Sequence, residues 1–427
     1  MSDAAAPIPA PSAAASRWQS AEMRARVAKR YRSERLFRGL GLFAVLTSVA
    51  ALVLLLGSML WSGLPGFTQP RVEVPMQLAG SGLTLPAGDV DEAQAAAALT
   101  SGGIADIVSL SAAAAYGPQA EAWFGPAATR AAIQAIFADP ALLQRGSVTL
   151  DLPASSALTA AARRHGPAEL IRTAERLRGE GKLSTGFNWN FLTLSDATDP
   201  TMAGIKGALI GSLLTMLVTL AIAFPVGVLA SLYLEEYAPR NRITDFIELS
   251  INTLAAVPSI IFGLLALALF INTMGLCAGS PLVGGLTLAL MTMPVIVISG
   301  RNAIKAVPPS IRDAALGVGA SKVQVVFHHV LPLALPGILT GTIICIARAL
   351  GETAPLLLIG MRAFVTGAPD GLCAGSTVLP MQVFLWSDQV DPGFVTNTSA
   401  AIIVLLVVLL SMNAIAIVLR NRFEKTW

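Results

Sequence analysis

The chain alternates between long apolar runs and polar segments, and the runs set its plan. Apolar stretches occupy about 39–61, 205–234, 247–273, 282–301, 335–360 and 399–420. A helix needs ~20 apolar residues to cross a bilayer, so each run predicts one membrane span. Residues 62–200, between the first and second runs, hold nine Lys/Arg and thirteen Asp/Glu. Their periodic patches predict modest helices with two or three strands. The clearest helix starts at Pro167 and puts Leu170, Ile171, Ala174 and Leu177 on one face. A segment of about 140 residues can bury a core. The expected fold class is an all-α polytopic membrane protein of six transmembrane helices, with an α+β insert between the first and second.

One polar island, Pro308 to Pro332 between the fourth and fifth runs, reads PPSIRDAALGVGASKVQVVFHHVLP. Ser310 with Asp313, and Ser321 with Gln324, have the form of capping boxes that satisfy free N–H groups at helix starts. Gly317 and Gly319 lie between those starts, where a helix must stop and turn. The island predicts two short helices meeting at a bend, the first with Ile311, Ala314, Ala315 and Val318 on its apolar side. Prolines punctuate the runs at Pro225, Pro258, Pro294 and Pro355. Each removes a backbone hydrogen bond, which membrane helices tolerate where protein or a water-lined cavity absorbs the break.

Composition agrees with the membrane reading. The chain is 54% hydrophobic and 13% charged, against ~25% charged in typical soluble domains. Its net charge of +3 gains meaning only from placement. The first sixteen residues are Ala/Pro-rich and predict disorder. Arg17 to Arg38 then carries eight basic residues against two acidic ones, interleaved with Trp18, Met23, Val27 and Tyr31. Such a run also suits nucleic acid. An apolar span follows at once, however, which makes 1–38 a disordered, then basic, cytoplasmic segment anchored on anionic lipid. Alternation from an inside N-terminus puts 62–200 outside and 235–246, 302–334 and the C-terminus in the cytoplasm. The inner segments hold Arg240, Arg242, Lys305, Arg312, Lys322, Arg420, Arg422 and Lys425, whereas the short outer loops 274–281 and 361–398 hold only Arg362. That asymmetry follows the positive-inside rule.

No stretch reads G-x-x-x-x-G-K-[ST], so the chain does not bind ATP in the P-loop manner and any energy from ATP comes through a partner. Cys277, Cys345 and Cys373 have no metal-ligand spacing. The only histidine of 62–200, His165, stands between Arg164 and Gly166 with no nucleophile beside it.

Asp313-Ala314-Ala315, then Gly319, His329 and Leu331-Pro332, resembles in spacing the EAA loop of ABC importer permeases. Two positions depart from that motif: Asp313 stands for Glu, keeping the charge and capping role, and His329 stands for Ile. The resemblance implies that 302–334 carries a coupling helix seated in a cleft of an ATP-hydrolysing subunit. Its contact residues would be Asp313, Ala314, Ala315, Gly319, Leu331 and Pro332. Tyr233–Tyr237, Val257–Gly263 and Met293–Ile298 are similar to segments of the phosphate-specific importer's permeases. The run Gly351-Glu352-Thr353-Ala354-Pro355-Leu356-Leu357 resembles the PstA subunit type more than its PstC sister. The similarity covers about residues 203–422, within the core 201–427. It implies a type I ABC importer permease fold and inward movement of inorganic phosphate across the bacterial inner membrane. It further implies a transport subunit rather than an enzyme, with no cofactor bound by this chain. ATP and Mg would be used by a PstB-like ATPase dimer, alongside a PstC-like permease and a PstS-like periplasmic binding protein.

Arg348 and Glu352 lie four residues apart near the middle of the fifth run, hence on one helix face. An Arg at the centre of a span costs ~2.5–3.5 kcal/mol, so it should face protein or a water-filled path, with a partner. Two readings stand. The pair locks two helices, or it is a cationic station whose fork of donors matches a tetrahedral oxyanion and whose own carboxylate holds it open. With Thr353 it marks the candidate translocation path. Arg301, at the inner end of the fourth run, is a second station or, more simply, a positive-inside anchor. Cys277 and Cys373 both occur in Gly-Leu-Cys-Ala-Gly-Ser, once in each short outer loop. The oxidising exterior favours their pairing, provided their Cα atoms come within ~7 Å. Two rival functions use the same chain differently. A permease for molybdate or sulfate would share the elbow without the Gly-Glu-Thr-Ala-Pro run, and a membrane-anchored sensor or enzyme would place its chemistry in 62–200.

Overall fold

The computed structural model describes residues 21–86, 91–361 and 364–423; the Ala/Pro-rich start, Arg17, Trp18, Arg362 and Lys425 lie outside them. The chain divides into two units, Met1–Met59 and Leu60–Trp427. Helix α1 (Ala21–Gly63) makes up the described part of the first and runs into the second. The basic segment is thus helical and continuous with the apolar span, because no Gly or Pro interrupts Ala21–Arg38 and Arg and Lys favour helix.

In the second unit a tight turn (Leu64–Phe67) leads into β1 (Thr68–Met76). This strand is the centre of an antiparallel sheet ordered β2–β1–β3, with β2 at Val148–Pro153 and β3 at Leu183–Phe187. Alternation along β1 buries Val72, Val74 and Met76 completely and leaves Glu73 and Pro75 exposed. Val72 pairs with Leu152 on one side and Leu183 on the other. The sheet shares one core with α2 (Glu92–Ser101), α3 (Ile104–Tyr116), α4 (Pro126–Ala138), α5 (Ser156–Ala162) and α6 (Ala168–Gly179). Helix α6 begins after Pro167 as expected. It buries Ala174 and Leu177, with Leu170 and Ile171 packed against the core. Arg163 donates to the Pro65 and Thr68 carbonyls, and burial pulls its guanidinium below the usual value. The insert closes where it opened. Thr68 pairs with Phe187, and the Asn188 N–H donates to the Phe67 carbonyl at 2.9 Å.

A short helix α7 (Trp189–Thr193) leads to the helical bundle. It begins with α8 (Lys206–Leu232), prolonged by a wide turn over Tyr233–Tyr237, then α9 (Arg242–Ala255) and α10 (Ser259–Ala266), widened over Leu267–Thr273. Next come α11 (Pro281–Lys305), α12 (Pro309–Gly317), α13 (Lys322–Gln324) with a wide turn over Val325–Val330, and α14 (Leu331–Leu350). The described residues end with α15 (Ala354–Leu358), α16 (Leu379–Ser387) and α17 (Gly393–Phe423). Small residues let the long helices approach closely, as in lipid-borne bundles. A Cβ on Gly300 of α11 would meet Ser231 Oγ of α8 at 2.6 Å, and one on Gly341 of α14 would meet Ser299 Oγ at 1.9 Å. Cys277 and Cys373 form a disulfide across two loops, with Cα atoms 5.5 Å apart.

Among the described residues five helices are long and apolar enough to cross a membrane: Met23–Phe67, Lys206–Tyr237, Pro281–Lys305, Lys322–Leu350 and Gly393–Arg422. Two expected spans differ. Residues 247–273 form no single helix, because α9 and α10 meet at 102°. Pro258 has no N–H to offer and disfavours helix at the residue before it, so the chain turns there. The span expected at 335–360 instead runs from Lys322 to Leu350. The second half of the elbow is therefore the start of a span. Pro332 inside it cannot bond the carbonyl four residues back, and the wide turn just ahead accommodates the loss. Beyond Leu350, Gly351 and Pro355 together stop the helix before Glu352.

Candidate functional site

At the elbow, α12 starts at Pro309 rather than Ser310. Proline suits the first helical position, where the N–H it lacks would have no partner within the helix. Ser310 is then already inside the helix, so the expected Ser310–Asp313 box does not form. Asp313 is exposed and caps nothing. At the other end of α12, the Gly319 N–H donates to the Leu316 carbonyl (2.9 Å) and the Ala320 N–H to the Ala315 carbonyl (3.1 Å). This pair of bonds is the Schellman stop, which needs a left-handed residue; Gly319 supplies it at φ +89°. Ser321 then starts α13 with the expected box. Its hydroxyl accepts from the Gln324 N–H at 3.3 Å, and its own N–H donates to Gln324 Oε1 at 2.9 Å.

Ile311 and Ala315 pack into the bundle. Ala314 and Val318, expected beside them, point outward, and Val318 is 87% exposed. Leu316, Val323 and Phe327 are exposed too, so the elbow offers an exposed apolar tip. Leu331 is half-buried, and Leu331-Pro332 lies within the following span rather than in a loop.

Arg348 sits in the last turn of α14, not at mid-span. Glu352 belongs to the link after the helix and turns back, accepting from Arg348 Nε at 3.4 Å. The guanidinium is 51% exposed and the carboxylate 19%. Among the described residues the terminal nitrogens of Arg348 meet no acceptor. Thr353 directly precedes α15, and its carbonyl accepts from the Leu357 N–H at 2.9 Å. Helix α10 presses on the start of α15 at Gly263, where a Cβ would stand 2.7 Å from Pro355 Cα.

A second charged cluster joins the elbow to the helices. Arg301 meets Glu248 of α9 through two parallel bonds of 2.8 and 2.9 Å, and its Nε meets Glu235 at 3.3 Å. Lys305 approaches Glu235 at 3.6 Å. Arg312, on α12, donates to Glu236 at 2.8 Å and to the Val307 and Ile304 carbonyls at 2.7 and 3.0 Å. Every nitrogen of Arg301 is thus engaged by a carboxylate of another element. Sequence reasoning missed Glu235, Glu236, Glu248 and Arg312 as a set. Glu248, a carboxylate inside an apparent span, was the available signal. Among the described residues no group of three or more His, Cys, Asp or Glu could hold a metal ion. His165 is exposed, its Nδ1 2.9 Å from the Arg163 carbonyl.

Residues 24–171 match a domain of unknown function, DUF3333, and residues 223–426 match the binding-protein-dependent transport system inner membrane component. Over 171 residues the chain is 35% identical to a probable ABC transporter permease protein, YqgI, of Bacillus subtilis (strain 168). That match covers 40% of this chain and 58% of the relative. Phosphate transport system permease protein PstA 1 of Mycobacterium tuberculosis (strain CDC 1551 / Oshkosh) is 32% identical over 223 residues, 51% of this chain and 70% of that one. The PstA protein of Pasteurella multocida (strain Pm70) is 32% identical over 212 residues, 49% of this chain and 75% of that one. Bundle, elbow and relatives agree, and the chain belongs to the PstA family of transport-system permeases.

Proposed function

We propose that this chain is one permease subunit of an ATP-driven importer that carries inorganic phosphate inward across the bacterial inner membrane. Its N- and C-termini and its elbow would face the cytoplasm, and its insert the periplasm. The observation that carries the reading is the break at Gly351–Pro355. It holds one guanidinium beside a single carboxylate, with its terminal nitrogens open among the described residues. A planar fork with two vacant terminal nitrogens suits the edge of a phosphate, and the nearby carboxylate limits how tightly the anion is retained. The supporting resemblances are the Gly-Glu-Thr-Ala-Pro-Leu-Leu run and the PstA relatives.

The elbow's exposed apolar tip is the surface on which an ATPase subunit would dock. The chain itself is not an enzyme and binds no cofactor; ATP and Mg belong to a PstB-like ATPase dimer. A PstC-like permease completes the pore, and a PstS-like protein delivers phosphate. Uptake of labelled phosphate by the assembled transporter, with sulfate and molybdate as competitors, tests the substrate. Arg348→Lys keeps the charge but loses the fork, and uptake per assembled complex should fall about tenfold. Near-normal uptake by the double variant Arg348→Met/Glu352→Leu would remove this pair from the transport path.

A further inference from the structure

The turn Tyr233–Tyr237 places two consecutive carboxylates at the end of α8, and each holds an arginine from a different element. Glu236 takes Arg312 of the elbow, and Glu235 takes Arg301 of α11. Arg301 in turn grips Glu248 of α9 with both terminal nitrogens. Helix α9 has no fully buried residue, so apolar packing does little to fix its place. At Pro258 it turns through 102° into α10, which at Gly263 touches Pro355 at the start of α15, just past the Arg348–Glu352 link. That contact is made against backbone: the space for a Cβ on Gly263 is taken by Pro355 Cα at 2.7 Å and Pro355 O at 2.9 Å. A contiguous set of contacts therefore runs from the elbow, through three ion pairs and one hinge, to Pro355, three residues past Glu352.

We infer that Arg301 is a positioning residue that ties elbow displacement to the α9–α10 hinge and so to the Arg348–Glu352 link. The inference rests on the function proposed above. Arg301 is only 13% exposed, as expected of a group that holds partners rather than one that meets solutes. A guanidinium is needed because one cation must engage two carboxylates from two helices. An ammonium has no planar fork for that task.

The test uses the full transporter, purified with its partner subunits and reconstituted in lipid. Three quantities are read: amide exchange over 242–256, ATP hydrolysis, and phosphate taken up per ATP. In Arg301→Gln, exchange over α9 should rise about tenfold and uptake per ATP should fall by a similar factor, with hydrolysis largely kept. Arg301→Lys should fall between Gln and wild type on both. The charge exchange Arg301→Glu with Glu248→Arg remakes the pair to α9 but not the bond to Glu235, so it should recover part of the α9 exchange protection, which a general folding defect would not do. Unchanged α9 exchange in Arg301→Gln overturns the inference. Equal losses of hydrolysis and uptake, with no recovery in the exchanged pair, overturn it as well. Absence of phosphate uptake by the wild-type complex would instead refute the proposed function, and the exchange measurements would still judge the tie.

Discussion

Gly319 is the sharpest point at which to perturb the elbow. Its φ of +89° closes the Schellman stop of α12, and a Cβ built there meets nothing within 4 Å. Any penalty on substitution therefore comes from the backbone and not from a clash. An L residue forced into the left-handed region costs ~1–2 kcal/mol, with a β-branched side chain at the upper end. Asn tolerates the region and costs less. Taking ~1 kcal/mol for Gly319→Ala and ~2 for Gly319→Val, the population of the native elbow relative to opened forms falls roughly fivefold and thirtyfold. Two measurements follow this series in membrane-inserted protein. Amide exchange at Gly319 and Ala320 reports the stop itself, and capture of the ATPase subunit reports docking. The expected order on both is Gly, Asn, Ala, Val. Gly319→Val with wild-type exchange and capture would refute the reasoning. So would Asn behaving like Val, since the fault would then lie in a contact and not in φ.

Two further outcomes are expected. Removing the Cys277–Cys373 link, which spans 96 residues, with Cys373→Ser should cost roughly 2–4 kcal/mol; non-reducing peptide mapping must show the link in wild type, and thermal unfolding with and without reductant measures its effect. Leu177→Ala, at a fully buried position between α6 and the sheet, should destabilise the insert by about 2–5 kcal/mol, read as greater protease sensitivity within 68–187 while phosphate uptake by surviving complex stays normal.

What was legible in the sequence was set by short-range chemistry. The Ser321–Gln324 box, the stop at Gly319, the break at Pro258 and the apolar face of α6 each depend on residues a few positions apart, and each is found in the structure. The direction of a break was not legible. Apolar content alone made 247–273 look like a straight span, because residue type does not report a 102° turn. The same limit misplaced Arg348 and Glu352. A four-residue spacing reads as one helix face, but the helix had ended and the pair meets across its terminus. Ser310 failed as a cap because Pro309 had already taken the first helical position. The Glu235–Arg301–Glu248 cluster depends on residues 53 to 66 positions apart, and no local pattern brings them together.

The meeting of Thr68 with Phe187, closed by the Asn188 N–H on the Phe67 carbonyl, makes the insert a cassette. Paired strands stand ~4.5–5.5 Å apart, a gap that a two-residue hairpin turn bridges. The chain could thus pass from Phe67 to Asn188 through such a turn without re-routing a helix. Removal of 68–187 closed by such a turn is then expected to leave the helices of the bundle where they are.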